Sequence, residues 1–128
     1  MKRMLKKLSG FVLLLLVTLP FNAFAGQALL IGIVTEFLFQ EGAYGECMVK
    51  LEYNGATVNP NGELSGCANF WTSLGCSGEY HSKSFAQNML STAQLSLVSG
   101  NRIGVYIDDT KKYNGYCVAY RIDAVNEP

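Results

Sequence analysis

Basic residues, histidine, closely spaced cysteines and long apolar runs are all scarce in this chain, and each shortage removes a class of function. Of 128 residues, ten are Lys or Arg and ten are Asp or Glu. Four of the cations, Lys2, Arg3, Lys6 and Lys7, sit at the extreme N-terminus. Beyond residue 25 six cations therefore face ten anions, a net charge of −4 with His81 neutral. An acidic domain without a basic stripe repels a phosphate backbone, so no nucleic-acid partner is expected. His81 is the single histidine. Ser82 and Ser84 lie beside it, but a nucleophilic site also needs a placed carboxylate and an oxyanion hole, so no catalytic residues and no enzyme are expected. The two nearest cysteines, Cys67 and Cys76, are nine positions apart. Cys-only zinc sites bring pairs about two to four residues apart, so neither a metal nor a cofactor is expected.

The longest apolar run, Phe11–Leu19, is well short of the roughly 20 residues that span a bilayer, so no permanent membrane anchor is expected. Its surroundings explain it. A basic head precedes it, Pro20 ends it, and Ala23-Phe24-Ala25 supplies the small-x-small pattern that signal peptidase cleaves. Residues 1–25 read as a signal peptide, and residues 26–128 as one exported domain, periplasmic or secreted. No cysteine near the cut can take a lipid. All four cysteines, Cys47, Cys67, Cys76 and Cys117, lie beyond the cut. An even number in an oxidising compartment points to two disulfides.

Strand signals dominate what remains. Leu29–Phe39 is apolar on both parities, with Gly32 as a bend point. Cys47–Tyr53 alternates as a half-buried strand does. Asn54-Gly55 and Asn59-Pro60-Asn61-Gly62 mark loops, and a third strand is expected over Cys67–Leu74. From Ser82 to Val98 the period changes. Phe85, Ala86, Met89, Leu90, Ala93 and Leu97 follow helical spacing, with Ser82 or Ser84 as cap and Gly100 as terminator. Ile103, Val105 and Ile107 open a fourth strand. Asp108-Asp109 and Asn114-Gly115 bracket a turn rather than a calcium loop, and Tyr116–Val125 forms the fifth strand. Strand, strand, strand, helix, strand, strand is the order of a small five-stranded Greek-key barrel of the OB-fold type.

In that fold the third and fifth strands are parallel neighbours, and Cys67 and Cys117 lie near their starts. The second and third strands are antiparallel, which puts Cys47 and Cys76 at one end of the barrel. The expected pairs are therefore Cys47–Cys76 and Cys67–Cys117.

Trp71, Ser84-Phe85, Ala93, Ser99-Gly100 and Arg102-Ile103-Gly104-Val105-Tyr106 resemble one segment of the B subunits of subtilase-cytotoxin-type toxins. That resemblance implies an exported, disulfide-bonded OB-fold that assembles as a five-membered ring and binds cell-surface glycans. It further implies a ring whose pore is lined by the helix, which makes Gln87, Asn88, Ser91 and Gln94 candidate interface residues of a homo-pentamer. Tyr and Trp pair a flat apolar face with a polar tip, as sugar stacking requires. Trp71, with Asn69 on the same strand parity, and Tyr44 are the candidate ligand-binding residues, whereas Tyr120 reads as barrel filling. A periplasmic structural or inhibitory protein that binds an envelope protein is the alternative.

Overall fold

The computed structural model describes residues 26–125, so the signal peptide read over residues 1–25 lies outside the described residues. The elements in order are β1 (Gln27–Phe39), β2 (Cys47–Tyr53), β3 (Ala56–Thr57), α1 (Pro60–Glu63), β4 (Trp71–Ser73), α2 (Lys83–Ser99), β5 (Ile103–Tyr113) and β6 (Tyr116–Ala124). The protein is mainly β, as its patterning implies.

β1 is apolar on both parities because it serves two neighbours in turn. Gln27–Gly32 pairs antiparallel with β5, and Ile33–Phe39 pairs antiparallel with β2. Gly32 stands at the handover. A Cβ there would fall 2.7 Å from the Glu52 carbonyl oxygen, so any side chain would push the strands apart. A bulge between Val34 and Glu36 then shifts the register. The side facing the core changes with it, from Ala28, Leu30 and Val34 to Phe37.

One sheet holds all six strands, in the order β1-β5-β6-β4-β2-β3, and β1 also pairs with β2. The strands β1, β2, β4, β6 and β5 thus close a ring, to which β3 is appended. β4 and β6 run parallel at Ser73 and Val118, and the other pairings are antiparallel. Inside the ring pack Leu30, Val34, Val49, Leu51, Leu74, Ile103, Val105, Ile107 and Ala119, with Met89, Leu90 and Ala93 of α2 against them. Disulfides join Cys47 to Cys76 and Cys67 to Cys117, with Cα separations of 5.6 and 5.3 Å. These are the pairs that the strand order implies.

Several local expectations need correction. Among the described residues the strands number six rather than five. Asn54 and Gly55 both have left-handed φ, 51° and 78°, which makes a two-residue hairpin turn and folds Ala56–Thr57 back as β3. Asn59-Pro60-Asn61-Gly62 is not wholly loop. Asn59 caps the single helical turn α1, with Pro60 at its start. The strand expected over Cys67–Leu74 shrinks to Trp71–Ser73, because Phe70 takes φ 69° and breaks the extended chain. Asp108-Asp109 lies within β5 rather than at a turn. The Asp108 carboxylate accepts from the Thr110 N–H at 2.8 Å and its hydroxyl at 2.6 Å, where the β5–β6 register shifts. A second shift, at Tyr106/Ile107, changes the inward parity of β6. Cys117 and Ala119 enter the core, and Tyr120 stands outside it against Tyr106, ring centroids 6.1 Å apart. Tyr120 therefore does not fill the barrel.

α2 begins and ends where its sequence signals lie. The Ser82 hydroxyl accepts from the Phe85 N–H at 3.2 Å, and Gly100 closes the helix at φ 71°. The buried stripe is rotated from the expected one. It comprises Ala86, Met89, Leu90, Ala93 and Ser96, while Phe85 and Leu97 are 40% and 44% exposed. Ser96 is polar for a reason. Its hydroxyl accepts from the Val34 N–H at 3.1 Å, beside the β1 bulge, and donates to the Asn101 carbonyl at 2.6 Å.

Candidate functional site

Among the described residues five non-glycines have left-handed φ, and three of them, Tyr44, Glu46 and Asn114, line one groove. Its volume is about 260 Å³, and Gly42, Ala43, Gly45, Ser77, Glu79 and Tyr113 complete its walls. The chain builds it from three loops at one end of the ring. The β1–β2 loop folds tightly on itself, since the Glu46 N–H donates to the Ala43 carbonyl at 2.7 Å and the Gln40 N–H to Glu46 at 3.2 Å. Left-handed Gly42, Tyr44, Gly45 and Glu46 make that path possible. Gly45 has a second duty. A Cβ there would meet the Ser73 hydroxyl at 2.5 Å and the Tyr113 ring at 2.6 Å.

β4 and the loop after it are tied to the first loop in three ways. The Cys47–Cys76 disulfide joins them, the Ser77 N–H donates to the Gly45 carbonyl at 3.0 Å, and the Ser73 hydroxyl donates to the Tyr44 carbonyl at 2.8 Å. The end of β5 supplies Tyr113 and the turn after it Asn114. The Tyr113 ring packs edge-on to Tyr80 at 5.1 Å, and Tyr44 packs edge-on to Tyr116 at 5.5 Å. The hydroxyls of Tyr113 and Ser77 share a hydrogen bond of 2.8 Å. Burial holds the Tyr113 phenol above its ordinary range, the Ser77 hydrogen bond works against that, and the Glu79 carboxylate adds to it. The groove therefore offers two carboxylates, two phenols, a serine hydroxyl and a carboxamide around aromatic faces. That set can hydrogen-bond a polyhydroxy ligand from several sides while a ring rests on tyrosine.

Of the candidate ligand-binding residues, the structure brings only Tyr44 to this groove. Trp71 and Asn69 do not line it. Trp71 is half-buried outside the core, with the Lys50 amine 6.0 Å from its ring centre, and Lys50 in turn pairs with Glu36 at 2.7 Å. Asn69 is exposed, and its carbonyl accepts the Trp71 N–H at 2.8 Å. Glu46, Ser77, Glu79, Tyr113 and Asn114 are not among the ligand-binding candidates that the sequence offers. The available signals were the Gly42/Gly45 loop and Asn114-Gly115, which mark left-handed backbone but not what surrounds it. Gln87, Asn88, Ser91 and Gln94 are all exposed on α2, as is required of an interface. Their face also carries exposed apolar groups: Leu95 is 65% exposed and Val98 84%. His81 is engaged structurally, its Nε2 bonded to the Leu74 carbonyl at 2.7 Å.

A second groove, of about 440 Å³, is more apolar. Leu29, Ile31, Tyr53 and Val58 line it, with Glu63 among its wall residues. It runs beside the stretch of β1 whose strand partner is β5 alone. The Arg102 guanidinium lies 4.4 Å from the Tyr53 ring centre and donates to the Asn54 side chain at 3.1 Å. Among the described residues no group of three or more His, Cys, Asp or Glu side chains could hold a metal ion, and no helix is long and apolar enough to cross a membrane. Comparison of the chain with protein-family models, with curated proteins and with solved structures found no match in any of the three.

Proposed function

We propose that this protein is an exported, non-enzymatic binding module that recognises a glycan through the groove of Tyr44, Glu46, Ser77, Glu79, Tyr113 and Asn114. The observation that carries the reading is the groove itself, where loops held in left-handed backbone and fixed by a disulfide present aromatic faces beside hydrogen-bonding groups. Its volume is below the about 300–1,000 Å³ of sites that engulf drug-sized ligands, which fits a sugar unit at a chain end. Two disulfides mark a protein of a non-reducing compartment. The closed ring with parallel β4 and β6 and a helix between β4 and β5 supports an OB-fold-like Greek-key barrel, with β3 as an addition. Such a barrel agrees with the toxin B-subunit resemblance and its ring assembly. Beyond Lys83, α2 carries no charged residue, so copies can approach along Gln87, Asn88, Ser91 and Gln94 without repulsion. A glycan array probed with residues 26–128, disulfides intact, tests the reading; binding to a defined terminal sugar supports it, and an array without any binding rejects it.

The apolar groove favours a second reading, a module that binds an envelope protein. An extended segment of that partner would lie along the unpaired edge of β1 at Leu29–Ile31 and place apolar side chains against Tyr53 and Val58. Loss of a partner's capture on Ile31→Lys, with glycan binding retained, would support it.

A further inference from the structure

We infer that the groove selects a terminal sugar that is not acidic, bound more tightly still when it bears a free amine; this rests on the glycan reading above. The groove's charge decides it. Glu46 and Glu79 are both among its walls, and no Lys, Arg or His is. Two cations lie close to these walls without being among them. The Lys83 stem crosses Gly78, where a Cβ would meet its Cγ at 2.8 Å, and the Lys112 amine donates to the Gly66 carbonyl at 3.1 Å. Glu41 adds a further exposed carboxylate to the same loop. A sialic acid, uronic acid or sulfated sugar would bring its anion into this field without a cation among the walls to receive it. Arg and Lys, whose donors best match an anion's oxygens, are missing from these walls.

An uncharged sugar meets no such barrier. Its hydroxyls donate to the carboxylates, and carboxylate acceptors make stronger hydrogen bonds than neutral ones do. The Asn114 side chain and the Ser77–Tyr113 pair complete donors and acceptors on the other walls. An ammonium group on the sugar would add direct attraction to Glu46 and Glu79. Because the groove opens to solvent, that attraction weakens with salt.

The test compares matched glycans that differ only in a terminal sialic acid or a free amino group, measured by titration calorimetry with wild type and with Glu46→Gln/Glu79→Gln. The neutral glycan is expected to bind at least ~10-fold more tightly than its sialylated counterpart, and the double substitution to narrow that gap. Equal or tighter binding of the sialylated form, or a gap unchanged in the variant, overturns the charge selection and leaves the glycan reading standing. Absence of binding to every glycan class rejects the glycan reading, and the selection falls with it.

Discussion

Ser77 and Tyr113 share a hydroxyl–hydroxyl hydrogen bond of 2.8 Å that ties the loop after β4 to the end of β5. Thirty-six positions separate them in the chain, so this bond reports whether the groove is assembled. It also makes Tyr113 a titration probe. The folded phenol is held above its ordinary range, chiefly by burial. An unfolded tyrosine titrates near about 10. The stability from Tyr113 is thus full below that pH and is lost as pH rises through 10 toward the folded value. A tyrosinate absorbance titration should show a late-titrating component, and Tyr113→Phe should remove it.

Ser96→Ala should destabilise the domain by about 1–3 kcal/mol. It leaves the buried Val34 N–H without the acceptor it has at 3.1 Å. Denaturant unfolding measures this directly. A neutral result would mean that water or a relaxed bulge satisfies Val34 instead.

The two disulfides should separate in their effects. Each should contribute about 2–4 kcal/mol to stability. Cys47 and Cys76 adjoin Glu46 and Ser77 of the groove, whereas Cys67 and Cys117 adjoin none of its residues. Cys47→Ser/Cys76→Ser should therefore weaken ligand binding as well as lower Tm. Cys67→Ser/Cys117→Ser should lower Tm with the smaller effect on binding. Thermal unfolding alongside calorimetric titration distinguishes the pairs.

Much of the fold was legible because its signals are local. The cap at Ser82, the stop at Gly100 and the strand Cys47–Tyr53 need only neighbouring residues to be read. That strand does not alternate strictly: Met48 is buried on the parity expected to face outward, and Tyr53 is exposed on the other. What escaped depends on bulges. A one-residue shift at Val34/Glu36 or Tyr106/Ile107 reverses which parity faces inward, and nothing in the residue types announces it. Tyr120 moved out of the core for that reason, and Ser96 is buried for it. The groove was legible only through Tyr44. Its other walls come from segments far apart in the chain, which strand closure and a disulfide bring together. Trp71 has the composition of a sugar platform, yet left-handed Phe70 shortens its strand, and the short β4 sets it beside Lys50, outside the groove.

The exposed side of α2 gives a prediction about assembly. Ser91→Glu/Gln94→Glu would place like charges around a ring axis in every copy. Wild type should sediment as an oligomer and the variant as a monomer. A wild type that sediments as a monomer at high concentration would reject the ring.

The most direct measurement is calorimetric titration of a glycan found on the array into wild type, Tyr44→Ala and Trp71→Ala. Tyr44 lines the groove and Trp71 does not. Binding should weaken at least ~10-fold, about 1.4 kcal/mol, in Tyr44→Ala and stay near wild type in Trp71→Ala. The reverse pattern, with Trp71→Ala impaired and Tyr44→Ala intact, would contradict the groove as the sugar site.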